Sequence, residues 1–125
     1  MNVNQLRADL ERDEGCVYAI YLDHLNLPTL GVGHLITQKD PEHGQPVATE
    51  VSEARVIEAF DLDIQHVLDD CDNLFNDFSS LPEAAQLVVA NMMFNLGLPR
   101  FSKFKKMIRA IELGDWQSAA DEMID

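Results

Sequence analysis

The chain has 125 residues, 22 Asp and Glu against 9 Lys and Arg, a formal net charge of −13 and a hydrophobic fraction of 46%. That length fits one domain, or two small lobes sharing a core, and needs no covalent staples. The charge excludes nucleic acid and anionic membrane surfaces as partners, because phosphate contacts need a basic face.

Residues 4–13 read as a short helix, with Leu6, Leu10 and Val3 on a narrow apolar face and Gly15 as its C-terminal stop. The N-terminus has no apolar h-region and no run approaches the roughly 20 apolar residues of a membrane span, so no signal peptide and no membrane insertion are expected. Residues 16–22 (CVYAIYL) are rich in β-branched and aromatic types and predict a strand. A turn at 23–26 leads to a second strand over 27–34, with Pro28 at a sheet edge and Gly31 and Gly33 marking close backbone approach or a bend. Residues 35–37 can extend a small antiparallel sheet. The polar stretch 37–50, with Pro41, Gly44 and Pro46, reads as a surface loop.

From Ser52 onward the pattern is helical. Ser52 is a candidate N-cap. Val56, Phe60, Asp63, Ile64 and Val67 follow a helical stripe, and Asp63 is the odd member: an acid on a buried face needs a partner. Residues 80–83 (SLPE) match a capping box with Pro82 in the first turn. The helix they open is apolar nearly all round, which predicts a central buried helix ended by Gly97 and Pro99. Two amphipathic helices follow, at 101–113 and 115–124. The expected fold class is α+β with segregated elements: a small antiparallel β-sheet lobe and a larger helical lobe, with a substrate cleft between them.

Chemistry is less legible from spacing alone. Cys16 and Cys71 fit two free thiols better than a disulfide, and no Cys/His group has zinc spacing. Asp61, Asp63, Asp69, Asp70 and Asp72 lack the glycine of a calcium loop. No metal and no cofactor are therefore expected. Glycoside hydrolysis needs one acid to protonate the leaving oxygen and one carboxylate on the other side of the bond. Glu14 at a helix end and Asp23 at a strand end could face each other, with the Thr29 hydroxyl beside Asp23. With 22 acids, many such pairs exist.

The segment DEG, the strand ending Y-x-D, the following T-x-G-x-G-H (Thr29 to His34), NMMFNLG (Asn91 to Gly97) with Phe101 and Phe104, and GDWQSAA (Gly114 to Ala120) together resemble the phage-type, T4-like lysozymes of glycoside hydrolase family 24. Order and spacing agree across nearly the whole chain. The resemblance implies a single lysozyme domain over 1–125, with a β-lobe at about 14–50 and a helical lobe from 1–13 and 51–125. It implies hydrolysis of the β-1,4 bond between N-acetylmuramic acid and N-acetylglucosamine in bacterial peptidoglycan, with inversion and bacterial lysis. Glu14 matches the essential acid, Asp23 the second carboxylate and Thr29 the residue that positions water. Leu35, Phe94 and Met107 match substrate-contacting positions, Met107 where relatives can carry a small polar residue. His34 matches a histidine paired with a helix aspartate, here Asp63, in a structural role.

The family usually continues beyond the equivalent of Asp125, and a shortened end would expose apolar surface through which an otherwise monomeric chain could associate. The chain is expected to be made in the host cytoplasm and to act on the cell wall. Lys103, Lys105, Lys106 and Arg109 form a basic cluster, either a solvated face or a contact with the anionic wall. A lytic transglycosylase would cut the same bond without needing Asp23 or Thr29, and a non-catalytic murein-binding module is the remaining alternative.

Overall fold

The computed structural model describes the backbone of residues 1–124 and side chains through residue 123. It has the α+β composition of a lysozyme-like fold: a three-stranded antiparallel sheet with helices before and after it. The helices are α1 (Val3–Glu14), α2 (Glu53–Leu74), α3 (Glu83–Leu96), α4 (Leu98–Phe101), α5 (Lys105–Glu112) and α6 (Trp116–Ile124), with a 3-10 turn at Phe78–Ser80. The strands are β1 (Val17–Leu22), β2 (Pro28–Gly31) and β3 (His34–Leu35). Two compact units divide the chain, Arg7–Ile64 and Met1–Leu6 with Gln65–Asp125. Among the described residues no helix is long and apolar enough to cross a membrane.

In the unit Arg7–Ile64 the sheet order is β1-β2-β3. Tyr21 pairs with Thr29 and Leu22 with Pro28, while Thr29 and Leu30 also pair with Leu35 and His34. The expected second strand over 27–34 is therefore two strands. Gly31 and Gly33 both take positive φ, 59° and 61°, and turn the chain back on itself around Val32. A side chain at 31 would also meet Val56 Cγ1 at 2.8 Å, so close packing on α2 and backbone conformation both demand glycine there.

Pro28 is not at a sheet edge as the sequence suggested, because β2 is the central strand. It sits at the first position of that strand, where no N–H is required, and its carbonyl still accepts from Ile36 N–H at 3.0 Å. The loop 37–50 returns to the other edge of β1: Ile20 N–H donates to Thr49 O at 2.9 Å and Val51 N–H to Tyr18 O at 3.0 Å. Ile20, Leu30, Ile36, Val51, Val56 and Ala59 form a buried cluster against which Cys16 packs. Ser52 caps α2 as expected, its hydroxyl accepting from Arg55 N–H at 3.1 Å.

The second unit is helical. Phe75 stacks at a tilt on Phe78 (5.9 Å between centroids) and meets Phe101 edge-on at 6.2 Å. Cys71 is a free thiol with no exposure at all. Burial, then the charges of Asp70 and Asp72, pushes it up to about 12. The capping box at 80–83 does not form. Ser80 is drawn into the 3-10 turn, where its hydroxyl donates to Asp77 O at 2.9 Å, and Glu83 Oε1 instead accepts from Asn2 N–H at 2.8 Å. Pro99 lies inside α4 rather than terminating a helix, and the expected helix over 101–113 begins only at Lys105.

Nor is α3 buried all round. Gln86, Val89, Ala90 and Met93 face inward, but Val88 is 47% exposed. Ala84, Ala85 and Val88 line an apolar groove of about 360 Å³ with Trp116, Ala120 and Met123 of α6. The apolar composition of α3 thus serves one packed face and one open face.

Candidate active site

Two of the chemistry-bearing residues around the sheet, Asp23 and Thr29, are held by backbone groups of the β1–β2 turn. Glu14 is the last residue of α1 and is half-buried. Gly33 lies directly against its carboxyl: a Cβ there would stand 3.1 Å from Glu14 Oε2. Asp23 follows β1, and its Oδ1 accepts from Leu25 N–H at 2.8 Å and Leu27 N–H at 3.0 Å. These donors, Leu27 foremost, stabilise the charged form and hold the carboxyl below its ordinary value despite the opposing effect of burial. Asn26, with φ of 62°, lets the chain turn tightly enough for both donors to converge.

Thr29 is 3% exposed, and its hydroxyl donates to Leu27 O at 2.9 Å. The same carbonyl accepts Asp23 N–H at 3.0 Å. One carbonyl, that of Leu27, therefore anchors both the Asp23 backbone and the Thr29 hydroxyl. With its hydrogen spent on Leu27 O, the Thr29 oxygen offers lone pairs to a further donor such as water. Oδ1 of Asp23 takes both backbone N–H groups, which leaves Oδ2 to a second partner.

Tyr21 was not singled out from the sequence, beyond its place in the Y-x-D pattern. The sheet register sets it opposite Thr29. Burial raises its phenol, Gly33 N–H lowers it, and the charges of Glu14 and Asp23 raise it further, so it stays protonated. Leu35 is exposed and pairs with Thr29 from the other side.

The remaining expected substrate contacts belong to the helical unit. Phe94 is half-buried on α3. Met107 is 1% exposed, so its side chain is core packing rather than an open contact, and it reaches only the floor of a pocket between α5 and α6.

His34 and Asp63 do meet, Nδ1 to Oδ2 at 2.7 Å, and the structure adds partners that the sequence did not reveal. His34 Nε2 stands 3.1 Å from Asp40 Oδ2, so both ring nitrogens face carboxylates and the imidazolium is favoured. Its pKa is raised, first by the bond to Asp63, against the opposing effect of burial. Arg55 extends the cluster: it donates to Asp40 Oδ1 at 2.9 Å, to Glu42 at 2.8 and 3.0 Å, and to Glu58 at 2.9 Å. Glu42 is 8% exposed and lies below its ordinary pKa because of Arg55. Burial pushes Asp40 upward, but Thr37 N–H, His34 and Arg55 outweigh it and leave the carboxyl lowered. The loop 37–50 thus carries buried charge as well as surface polarity. Among the described residues no group of three or more His, Cys, Asp or Glu could hold a metal ion.

A family model described as phage lysozyme matches residues 11–125. Two relatives in Dictyostelium discoideum, probable T4-type lysozymes 2 and 1, are 29% and 26% identical over 140 and 141 residues, each alignment covering 97% of this chain and 82% of the relative. The pre-baseplate central spike protein Gp5 of Enterobacteria phage T4 is 28% identical over 137 residues, which cover 94% of this chain but 24% of that protein.

Proposed function

Because the chain belongs to the phage lysozyme family, we propose that it is a muramidase that hydrolyses the β-1,4 bond between N-acetylmuramic acid and N-acetylglucosamine. A lysozyme-like action on peptidoglycan follows from the family; the bond cut, the residue roles and the stereochemistry are the finer reading. Glu14 protonates the glycosidic oxygen as the bond breaks. Asp23 and Thr29 hold a water that attacks the anomeric carbon from the opposite face, and Asp23 takes its proton, so the product is inverted.

The observation that carries this reading is the backbone of Leu27. Its N–H, with that of Leu25, fills one oxygen of Asp23, and its carbonyl takes the Thr29 hydrogen. Asp23 Oδ2 and the Thr29 oxygen are then both acceptors, and a water donating to both directs a lone pair away from them. That arrangement suits a hydrolase. A lytic transglycosylase needs no such water, and its product would carry 1,6-anhydro ends. The chain is taken to act at the bacterial cell wall after synthesis in a cytoplasm.

The test is the initial rate of wall clearing with mass analysis of the fragments. Wild type should release reducing ends, Glu14→Gln should lose at least about 100-fold in rate, and Thr29→Ser, which keeps a hydroxyl, should retain much of it. The acid limb of the rate profile should lie below about pH 4, because the lowered Asp23 carboxyl stays ionised to there. Full clearing by Glu14→Gln, or anhydro ends from wild type, sinks the assignment. A non-catalytic wall-binding role is the second reading, and clearing by wild type decides against it.

A further inference from the structure

Tyr21 feels the charge of both Glu14 and Asp23, and the proposed reaction gives it no task. The sheet puts it there. Partners across an antiparallel pair of strands carry their side chains on one face. Tyr21 pairs with Thr29, and Thr29 pairs with Leu35, so the three share a face. Ile20 and Leu30, one residue along each strand, point the other way into the buried apolar cluster.

A phenylalanine would fill the same half-buried volume, so the hydroxyl calls for a reason. Taking a hydroxyl out of water is costly unless it finds a partner. The group that faces it is Gly33 N–H, which lowers the phenol against the effect of burial. Among the described residues that N–H has no backbone acceptor, because the turn around Val32 leaves the ladder at Gly31 and rejoins it at His34. Gly33 in turn lies against the proton donor, with a Cβ at its position 3.1 Å from Glu14 Oε2. Among the described residues no hydrogen bond or ion pair holds the Glu14 carboxyl, so its aim depends on what it packs against. Glu14 also ends its helix, and the next residue, Gly15, has φ of 76°.

We propose that Tyr21 is a positioning residue for the proton donor: its hydroxyl holds the Gly33 peptide, and the turn held in this way backs the Glu14 carboxyl and keeps it aimed at the glycosidic oxygen. The proposal rests on the reading of Glu14 as the acid. It adds a residue that acts on that acid through a peptide group, without touching substrate. A misplaced acid still binds sugar but transfers its proton poorly, so the cost falls on turnover rather than on affinity.

The test is a double-mutant cycle between Tyr21→Phe and Glu14→Gln, read as kcat and KM on a soluble chito-oligosaccharide well below the melting point of every variant. Tyr21→Phe should lower kcat about tenfold and leave KM within about twofold. In the Glu14→Gln background the same change should lower the residual rate by less than about twofold, since the group that Tyr21 positions no longer gives a proton. In a Thr29→Ser background the full loss should persist, because Thr29 acts on the water. A merely structural loss would carry over undiminished into Glu14→Gln. That result, an unchanged kcat in Tyr21→Phe, or a loss abolished by Thr29→Ser would overturn the proposal.

Amide exchange gives a second readout that needs no turnover. Gly33 N–H should exchange about tenfold faster in Tyr21→Phe than in wild type, with Gly44 N–H as an unchanged reference. Equal exchange at Gly33 in the two chains would also overturn the proposal. Failure of wild type to cleave would instead count against the proposed reaction, and the Gly33 amide would still decide whether Tyr21 holds the turn.

Discussion

The two compact units of this chain are held by different kinds of force. The unit Arg7–Ile64 has a small apolar cluster of six residues and surrounds it with directional bonds: Asp23 and Thr29 on the Leu27 peptide, His34 between Asp40 and Asp63, Arg55 on Asp40, Glu42 and Glu58. The unit that contains residues 65–124 relies on packing of Phe75, Phe78, Phe101, Met93 and Ile111, and leaves part of its apolar surface open along α3 and α6. The contrast separates two needs. Orienting a carboxylate to within the tolerance of a reaction requires hydrogen bonds, which fix direction. Filling a helical core requires volume, which several arrangements supply.

The hardest test of the contrast is Phe101→Ala. This fully buried ring should cost about 3–5 kcal/mol, and melting should fall by about 10 °C or more. Well below that melting point its catalytic rate on soluble substrate should stay near wild type. A large loss of rate in molecules that are still folded would break the division of labour.

Arg55→Gln comes next. Removing the guanidinium leaves Asp40 and Glu42 charged and mostly buried, at a cost of about 3 kcal/mol by denaturant melts. A change under about 0.5 kcal/mol would mean that the loop 37–50 does not depend on its charges.

The pH dependence is smaller and has a definite shape. His34 is raised, so its contribution is complete below about pH 6.5 and is lost as pH rises through its folded value. Asp40 and Glu42 are lowered, so theirs is present above about pH 4–4.5 and is lost as pH falls through their folded values. The network should therefore stabilise most between those limits, and Asp63→Asn should flatten the alkaline side of a melting-temperature profile. An unchanged alkaline side in that variant would remove His34 from the account.

Smallest of all, Val88→Thr in the open groove should change stability by no more than about 0.5 kcal/mol while reducing the binding of an apolar dye. A loss of 2 kcal/mol or more would show that the groove face is packed in solution.

What the sequence disclosed follows the same division. Helices and strands announced themselves through periodicity, and Asp63 stood out because it interrupts an apolar stripe. The hairpin at 31–33 was half legible: its glycines signalled a turn or close approach, but periodicity does not say which. The box at 80–83 misled because the helix starts later than the pattern requires: Pro82 stands at the N-cap position and Ser80 ends the preceding 3-10 turn. Arg55 was silent. Two of its three partners lie 13 and 15 residues away across an irregular loop, and acids in such a loop look like surface whether or not a guanidinium is folded among them. Glu14, Asp23 and Thr29 were legible as a motif, whereas the Leu27 backbone that joins two of them has no sequence signature, because any residue other than proline supplies the same N–H and carbonyl.

The thiol of Cys71 turns the molecule into its own recorder of local opening. With burial pushing that group up to about 12 and no surface exposed, the native molecule keeps the thiol protonated and out of reach of an alkylating reagent. Labelling at this position therefore waits on excursions that expose the C-terminal half of α2, whereas the half-buried Cys16 is closer to solvent in the closed state. The ratio of the two alkylation rates, followed by mass without any engineered probe, measures how often that helix opens short of global unfolding.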